Sequence, residues 1–192
     1  MPDKMQPKYK RQRFLLSFVQ QLKDGATATD IQKLVFLYTM KEKSKYYEFL
    51  PYKYGPYSFQ LAEDISILCK NHFFRMKGSH ICAAHEKANG FQFSIDDERG
   101  NHLIKKTYRE YPYYSINSEI IGKLFSGDEA EKFKNEKKNY SQSNQMLFTL
   151  GYEGKSLESF MNILIQNDVH LLCDVRRDPL SRKFGFSKNK LE

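Results

Sequence analysis

The stretch Val169-His170-Leu171-Leu172-Cys173-Asp174-Val175 limits what this chain can fold into more than any other. It is almost wholly apolar and does not alternate. A strand of that kind is buried on both faces, as in a parallel sheet covered by helices. A helical pattern precedes it: Ser156 stands at the N-cap, and Leu157, Phe160, Met161, Leu164 and Ile165 recur at i, i+3, i+4, i+7 and i+8. Before the helix, Met146 to Leu150 reads as a strand ending at Gly151. Residues 146–175 are therefore predicted to form a βαβ unit. Its right-handed crossover places both strand ends on one edge of the sheet, where ligands of open α/β sheets bind. Two strands and one helix cannot cover their own faces. Residues 143–192 are thus expected to be the first fragment of a larger α/β domain, cut short artificially or by natural loss, with self-association through the exposed unit as a consequence.

Upstream the periodicity is helical. Phe14, Leu15, Phe18, Val19 and Leu22 mark one face of a helix from about Tyr9 to Lys23, stopped by Asp24-Gly25. Thr27 or Thr29 caps a second helix with Ile31, Leu34, Val35 and Tyr38 inward. Tyr46 to Tyr54 reads as an extended connection. Ser58 or a neighbour opens a third helix, with Leu61, Ile65 and Leu68 inward. Two strand-like runs follow, Phe73 to Met76 and Ile81 to Ala84. Asn89-Gly90 then precedes Phe91 to Ile95, which is a strong hairpin signal. Three helices followed by a β-hairpin is the order of a winged helix. Asp96 to Tyr111 and Ser118 to Phe125 read as further short helices, and Asp128 to Tyr140 as a charged linker or solvated helix. The predicted fold class is α+β: a winged-helix-like domain over 1–127, a charged linker over 128–142, and an α/β fragment over 143–192.

Charge points to a partner class. The 192 residues carry a net charge of +8, with 40% hydrophobic content. That apolar fraction is enough for a packed core and argues against a disordered chain. Residues 1–142 hold almost all of the excess charge. Basic clusters suit a polyanion, because each neutralised phosphate releases counterions. The candidate nucleic-acid contacts are Lys8, Lys10, Arg11 and Arg13 in the N-terminal arm, with Lys53 and Lys77, and Lys87 beside them, near the turn and wing. The third helix is a poor groove reader, since its outer face offers Gln60, Glu63, Asp64, Ser66 and Lys70. The alternative is a solvated basic arm on a protein-interaction module that binds no nucleic acid.

Several classes are excluded. No run approaches about 18 apolar residues, so no membrane helix is predicted. Met1 to Arg13 is polar and basic, unlike a secretory leader. Cys69, Cys82 and Cys173 lie among apolar residues with no paired spacing, so they read as reduced core cysteines of a cytoplasmic protein. The five histidines show no metal-ligand spacing, and His170 reads as a satisfied core residue. No metal and no cofactor are called for.

The two predicted strand ends carry the chemistry. Thr149-Leu150-Gly151-Tyr152-Glu153-Gly154 follows the first, and Asp174-Val175-Arg176-Arg177-Asp178-Pro179-Leu180-Ser181-Arg182-Lys183-Phe184-Gly185-Phe186-Ser187-Lys188 follows the second. Tyr152, Glu153, Asp174, Arg176, Ser181, Arg182 and Ser187 form a candidate anion-binding set beside the helix start at Ser156. The alternative is a basic loop that packs under further parts of the domain. From about Phe148 to Leu191 the chain resembles the opening of the bacterial domain of unknown function 488 family. That family begins T-I-G-Y-E-G, continues with a helix, and reaches D-V-R-x-x-P-x-S-R-x-x-G-F-S-K. Its later Cys-His pair and Arg residues are not among these residues. The resemblance implies an α/β domain that in complete form processes nucleic acid or another phosphate-bearing substrate, with no catalysis expected from this fragment and no catalytic residue assigned. The N-terminal piece, around Phe49-Leu50-Pro51-Tyr52-Lys53-Tyr54-Gly55-Pro56-Tyr57-Ser58, looks like the extension on some family members. It is more weakly similar to the antitoxin-like Panacea domain.

Overall fold

The computed structural model describes residues 6–84, 92–141, 146–178 and 180–188. Its chain divides into two units, one of residues 1–47 and 57–110, the other of residues 48–56 and 111–192. Helices dominate both, and each small sheet has two strands. The mixed helix-and-sheet class agrees with the sequence pattern.

The first unit opens with α1 (Lys10–Val19), whose Phe14, Leu15, Phe18 and Val19 are buried as the periodicity predicts. α2 (Ala28–Glu42) is capped by Thr27, whose Oγ1 accepts from the Asp30 amide at 3.1 Å. Every residue from Ile31 to Phe36 is buried, so the middle of α2 is enclosed all round. After α2 the chain enters the second unit for residues 48–56, which hold β1 (Leu50–Tyr52) and most of its partner β2 (Gly55–Tyr57), and returns at Tyr57. α3 (Phe59–Lys70) is capped by Ser58, and its Leu61, Ile65 and Leu68 are buried. The Gln32 side chain fixes this cap: its Nε2 donates to Ser58 O at 3.0 Å and its Oε1 accepts from Ser58 N at 2.9 Å.

β3 (Phe74–Lys77) and β4 (His80–Ala83) pair antiparallel across Gly78-Ser79. Phe73–Met76 and Ile81–Ala84 therefore pair with each other. The turn expected at Asn89-Gly90 lies outside the described residues, and residues 92–95 form no strand. β4 also bridges back to Ala26, which donates to Ile81 O at 3.1 Å and accepts from Ile81 N at 2.8 Å. This contact explains Gly25, whose φ is +68° and whose added Cβ would lie 2.4 Å from Ile81 O. α4 (Gly100–Glu110) closes the unit by packing Leu103, Ile104, Thr107 and Tyr108 inward, with α2 as its main neighbour.

The second unit contains α5 (Ile121–Leu124), α6 (Gly127–Glu136) and α7 (Leu157–Gln166). α6 occupies the segment whose charge pattern reads as a linker or a solvated helix, and it is the helix that forms. Ala130 and Phe133, three residues apart, give it an inner face, and Phe133 lies 4.5 Å from Phe125 between ring centroids. α6 belongs to the unit of residues 48–56 and 111–192. The aromatic connection is also more than a link. Phe49 O accepts from Asn162 Nδ2 at 2.7 Å, Pro51 O from Asn117 Nδ2 at 3.2 Å, and Lys53 O from the Glu119 amide at 2.9 Å. Ser156 caps α7 as predicted, accepting from the Ser159 amide at 2.9 Å, and its hydroxyl also bonds Glu48.

Of the predicted βαβ unit, the helix is present and the strands are not. Residues 146–150 and 169–175 pair with no strand among the described residues. Leu147 is 95% exposed, Leu171 85% and Val175 88%. An apolar run becomes a strand only by hydrogen bonding to a neighbour, and none lies alongside. The same exposure corrects two residue readings. His170 is out in solvent with Nε2 3.3 Å from Asp168 Oδ1, and Cys173 is exposed, whereas Cys69 and Cys82 are half-buried. Among the described residues no helix is long and apolar enough to cross a membrane.

Candidate functional site

In the first unit, α1 brings Lys10, Arg13, Phe14 and Ser17 to one place by their i, i+3, i+4, i+7 spacing. They line a cavity of about 350 Å³ together with Tyr38 of α2 and two loop residues, Tyr46 and Phe93. The rings touch one another. Phe14 and Tyr46 are stacked at 4.5 Å and 15°. Phe93 meets Phe14 edge-on at 5.4 Å and Tyr38 edge-on at 5.3 Å. Lys10 and Arg13 are exposed, and neither side chain makes a hydrogen bond or ion pair with a described residue. Nearby, Lys41 Nζ donates to Ser94 Oγ at 3.2 Å. Burial, with the Glu42 carboxylate and Tyr46 behind it, raises the Tyr38 phenol above its ordinary value. An aromatic floor with two uncommitted cations suits a flat ligand that carries negative charge.

The other arm cations are held differently. Arg11 Nε donates to Asp64 Oδ2 at 2.6 Å, while Asp64 also accepts from Gln12 Nε2 at 2.8 Å and the Tyr47 hydroxyl at 3.0 Å. Asp64 is fully buried, which corrects its placement on the outer face of α3. Its position shows why: it falls between Leu61 and Leu68 on the inward stripe, and Arg11, Gln12 and Tyr47 satisfy the carboxylate there. Burial foremost, and then Asp64, raise the Tyr47 phenol far above its usual range. Arg11 is thus a structural ion pair. Lys8 Nζ lies 5.4 Å from the Tyr9 ring centre. Lys53, in the second unit, is 3.4 Å from Glu119. Lys77 is exposed on β3, and Lys87 lies outside the described residues.

In the second unit the structure gathers three of the strand-end candidates. Arg176 forks onto Asp174, Nε to Oδ1 at 2.8 Å and Nη2 to Oδ2 at 2.6 Å, and its Nη1 donates to Phe186 O at 2.9 Å. The guanidinium sits 5.2 Å from the Tyr152 ring centre. Tyr152 stacks on Phe186 at 5.0 Å, and Lys183 Nζ donates to Tyr152 O at 2.9 Å. Arg176 hydrogen bonds hold the Asp174 carboxyl down at about 2. Glu153 and Arg182 are exposed, Ser187 is half-buried, and Ser181 Oγ accepts from the Lys183 amide at 3.2 Å. The fork that would grip a phosphate is closed on Asp174. Phe186 and Lys183 join the cluster although the candidate set omitted them. The aromatic in the middle of G-F-S is the available signal.

No family model, curated protein or solved structure matches the chain. Among the described residues no group of three His, Cys, Asp or Glu side chains comes together as a metal site.

Proposed function

We propose that the chain binds nucleic acid through its first unit, with Lys10 and Arg13 as phosphate contacts. The observation that carries this is their exposure, without side-chain partners among the described residues, at the rim of an aromatic cavity. The order α1, α2, α3, then the β3–β4 hairpin supports reading this unit as a winged helix. Convergence of Tyr152, Asp174, Arg176 and Phe186 on one contact supports the likeness of 148–191 to the domain of unknown function 488 family. On that likeness, a complete domain of this type would act on nucleic acid or another phosphate-bearing substrate. The test is salt dependence. Lys8, Lys10, Arg13 and Lys77 together would give a log–log slope of about −3 to −4 on duplex DNA, and Lys10→Ala with Arg13→Ala would reduce it by about 2. A chain with no affinity for duplex or single strand at low salt refutes the reading.

One observation favours a second reading, a protein-interaction module. Leu147, Leu171, Val175 and Leu180 are all more than 80% exposed in the second unit. Binding of a protein partner would show no comparable salt slope.

A further inference from the structure

Phosphate attraction accounts for Lys10 and Arg13 but not for the four rings beneath them. Phe14 covers one face of Tyr46 by parallel stacking, yet Tyr46 remains 44% exposed. Tyr46 also lines the cavity, so part of it is open to a planar guest there. Tyr46 stands in the loop after α2, and Phe93 in the stretch before α4. The volume, about 350 Å³, falls within the range of small-ligand pockets, about 300–1,000 Å³. Meanwhile α3 offers a duplex groove little: Asp64 points inward to Arg11, and Glu63 is its exposed acid. The chemistry of the cavity is that of a stacking platform beside cations, which engages bases that have no pairing partner.

We propose that this cavity holds one unpaired base of a single-stranded nucleic acid, stacked on Tyr46, with the adjoining phosphates on Lys10 and Arg13. The proposal rests on the nucleic-acid reading above and adds to it the form of the ligand. Every base has a π-face, so the site is tolerant of sequence. Ser17, on the same face of α1, is the one neutral hydroxyl of that stripe and lines the cavity.

The experiment uses the full chain and fluorescence anisotropy with three probes of about twelve nucleotides, oligothymidylate, an abasic strand with the same number of phosphates, and a duplex, and with a free nucleoside monophosphate as competitor. Tyr46→Ala is expected to weaken the oligothymidylate roughly 5- to 100-fold, the range of losing one stacked base. Tyr46→Phe, which keeps the ring, should stay within about twofold, and the abasic strand should respond to neither. Circular dichroism of Tyr46→Ala checks that the unit is folded. If the abasic strand binds as tightly as oligothymidylate, or Tyr46→Ala leaves all three probes unchanged, the base site is refuted while nucleic-acid binding stands. If a free nucleoside monophosphate binds as tightly as the oligomer with the same Tyr46 dependence, the single-strand assignment is overturned in favour of a nucleotide. If no probe binds, the underlying reading fails as well.

Discussion

Replacing Asp64 with alanine asks whether a carboxylate, and not apolar packing alone, fastens α1 to α3. Asp64 is fully buried and accepts from the Arg11 guanidinium, from Gln12 Nε2 and from Tyr47. The charge-assisted contact with Arg11 is worth about 1.5–3 kcal/mol. Gln12, only 3% exposed, would keep a buried amide without its acceptor, at about 1–3 kcal/mol. Tyr47 adds little, because its hydroxyl still reaches Arg11 O at 3.1 Å. Arg11 recovers part of the loss by turning to water, since its side chain is already 30% exposed. The expected destabilisation is about 3–4 kcal/mol, toward the lower part of the range for breaking a buried pair. Arg11→Ala should cost less, about 2–3 kcal/mol, because two donors remain on the carboxylate. Urea unfolding by circular dichroism gives the free energy, and amide exchange over α1 and α3 assigns it to the first unit. Arg11→Ala should leave the salt slope of nucleic-acid binding unchanged, in contrast to Arg13→Ala. An Asp64→Ala protein within about 1 kcal/mol of the parent would refute the argument.

Burial lowers the Lys33 ammonium to about 7 against an opposing pull from Asp30. Between there and the ordinary lysine value of about 10.4 the unfolded chain binds a proton that the folded chain lacks, so stability rises with pH across that window. Lys33→Met should flatten this rise in urea midpoints taken from about pH 6 to about pH 9, below the range where the raised Tyr47 phenol reverses the sign. Equal slopes in the two proteins would count against it. Gly25→Ala should cost about 2 kcal/mol or more in the same assay, since its Cβ would meet the Ile81 backbone at 2.4 Å at φ +68°. Gly185→Ala should cost less, because its Cβ meets the Leu157 side-chain tip, which can turn away.

Helices were the readable part of this chain. Phe14, Phe18, Leu34, Leu61 and Leu68 announce buried faces by spacing, and Thr27, Ser58 and Ser156 announce starts by cap chemistry. Strand pairing was less so, because a pair is a property of two segments. Phe73–Met76 could have paired forward or been skipped, and Gly78-Ser79 made the turn with no Asn-Gly signal. Leu171 and Val175 show the limit of apolarity as evidence of burial. Of the site residues, Asp174, Arg176 and Tyr152 were legible as motif neighbours. Tyr46 and Phe93 were not, since loop residues carry no periodicity. Asp64 was misread because charge outweighed its place on the 61–68 stripe.

The passage of residues 48–56 into the second unit has a consequence in time. Phe49, Leu50 and Pro51 are buried there with partners that end at Gln166 of α7. Those partners follow over a span that runs from 66 residues later at Asn117 to 113 at Asn162, and synthesis at about 5–20 residues per second imposes a wait of roughly 3–20 s. During that interval the nascent chain carries Phe49 and Leu50 without their full cover, while α1 and α2 on one side and α3 on the other are already made. The vulnerable species is therefore a nascent one. A chaperone, or slow decoding that delays α7, should influence yield through these nine residues more than through any other stretch of the first hundred.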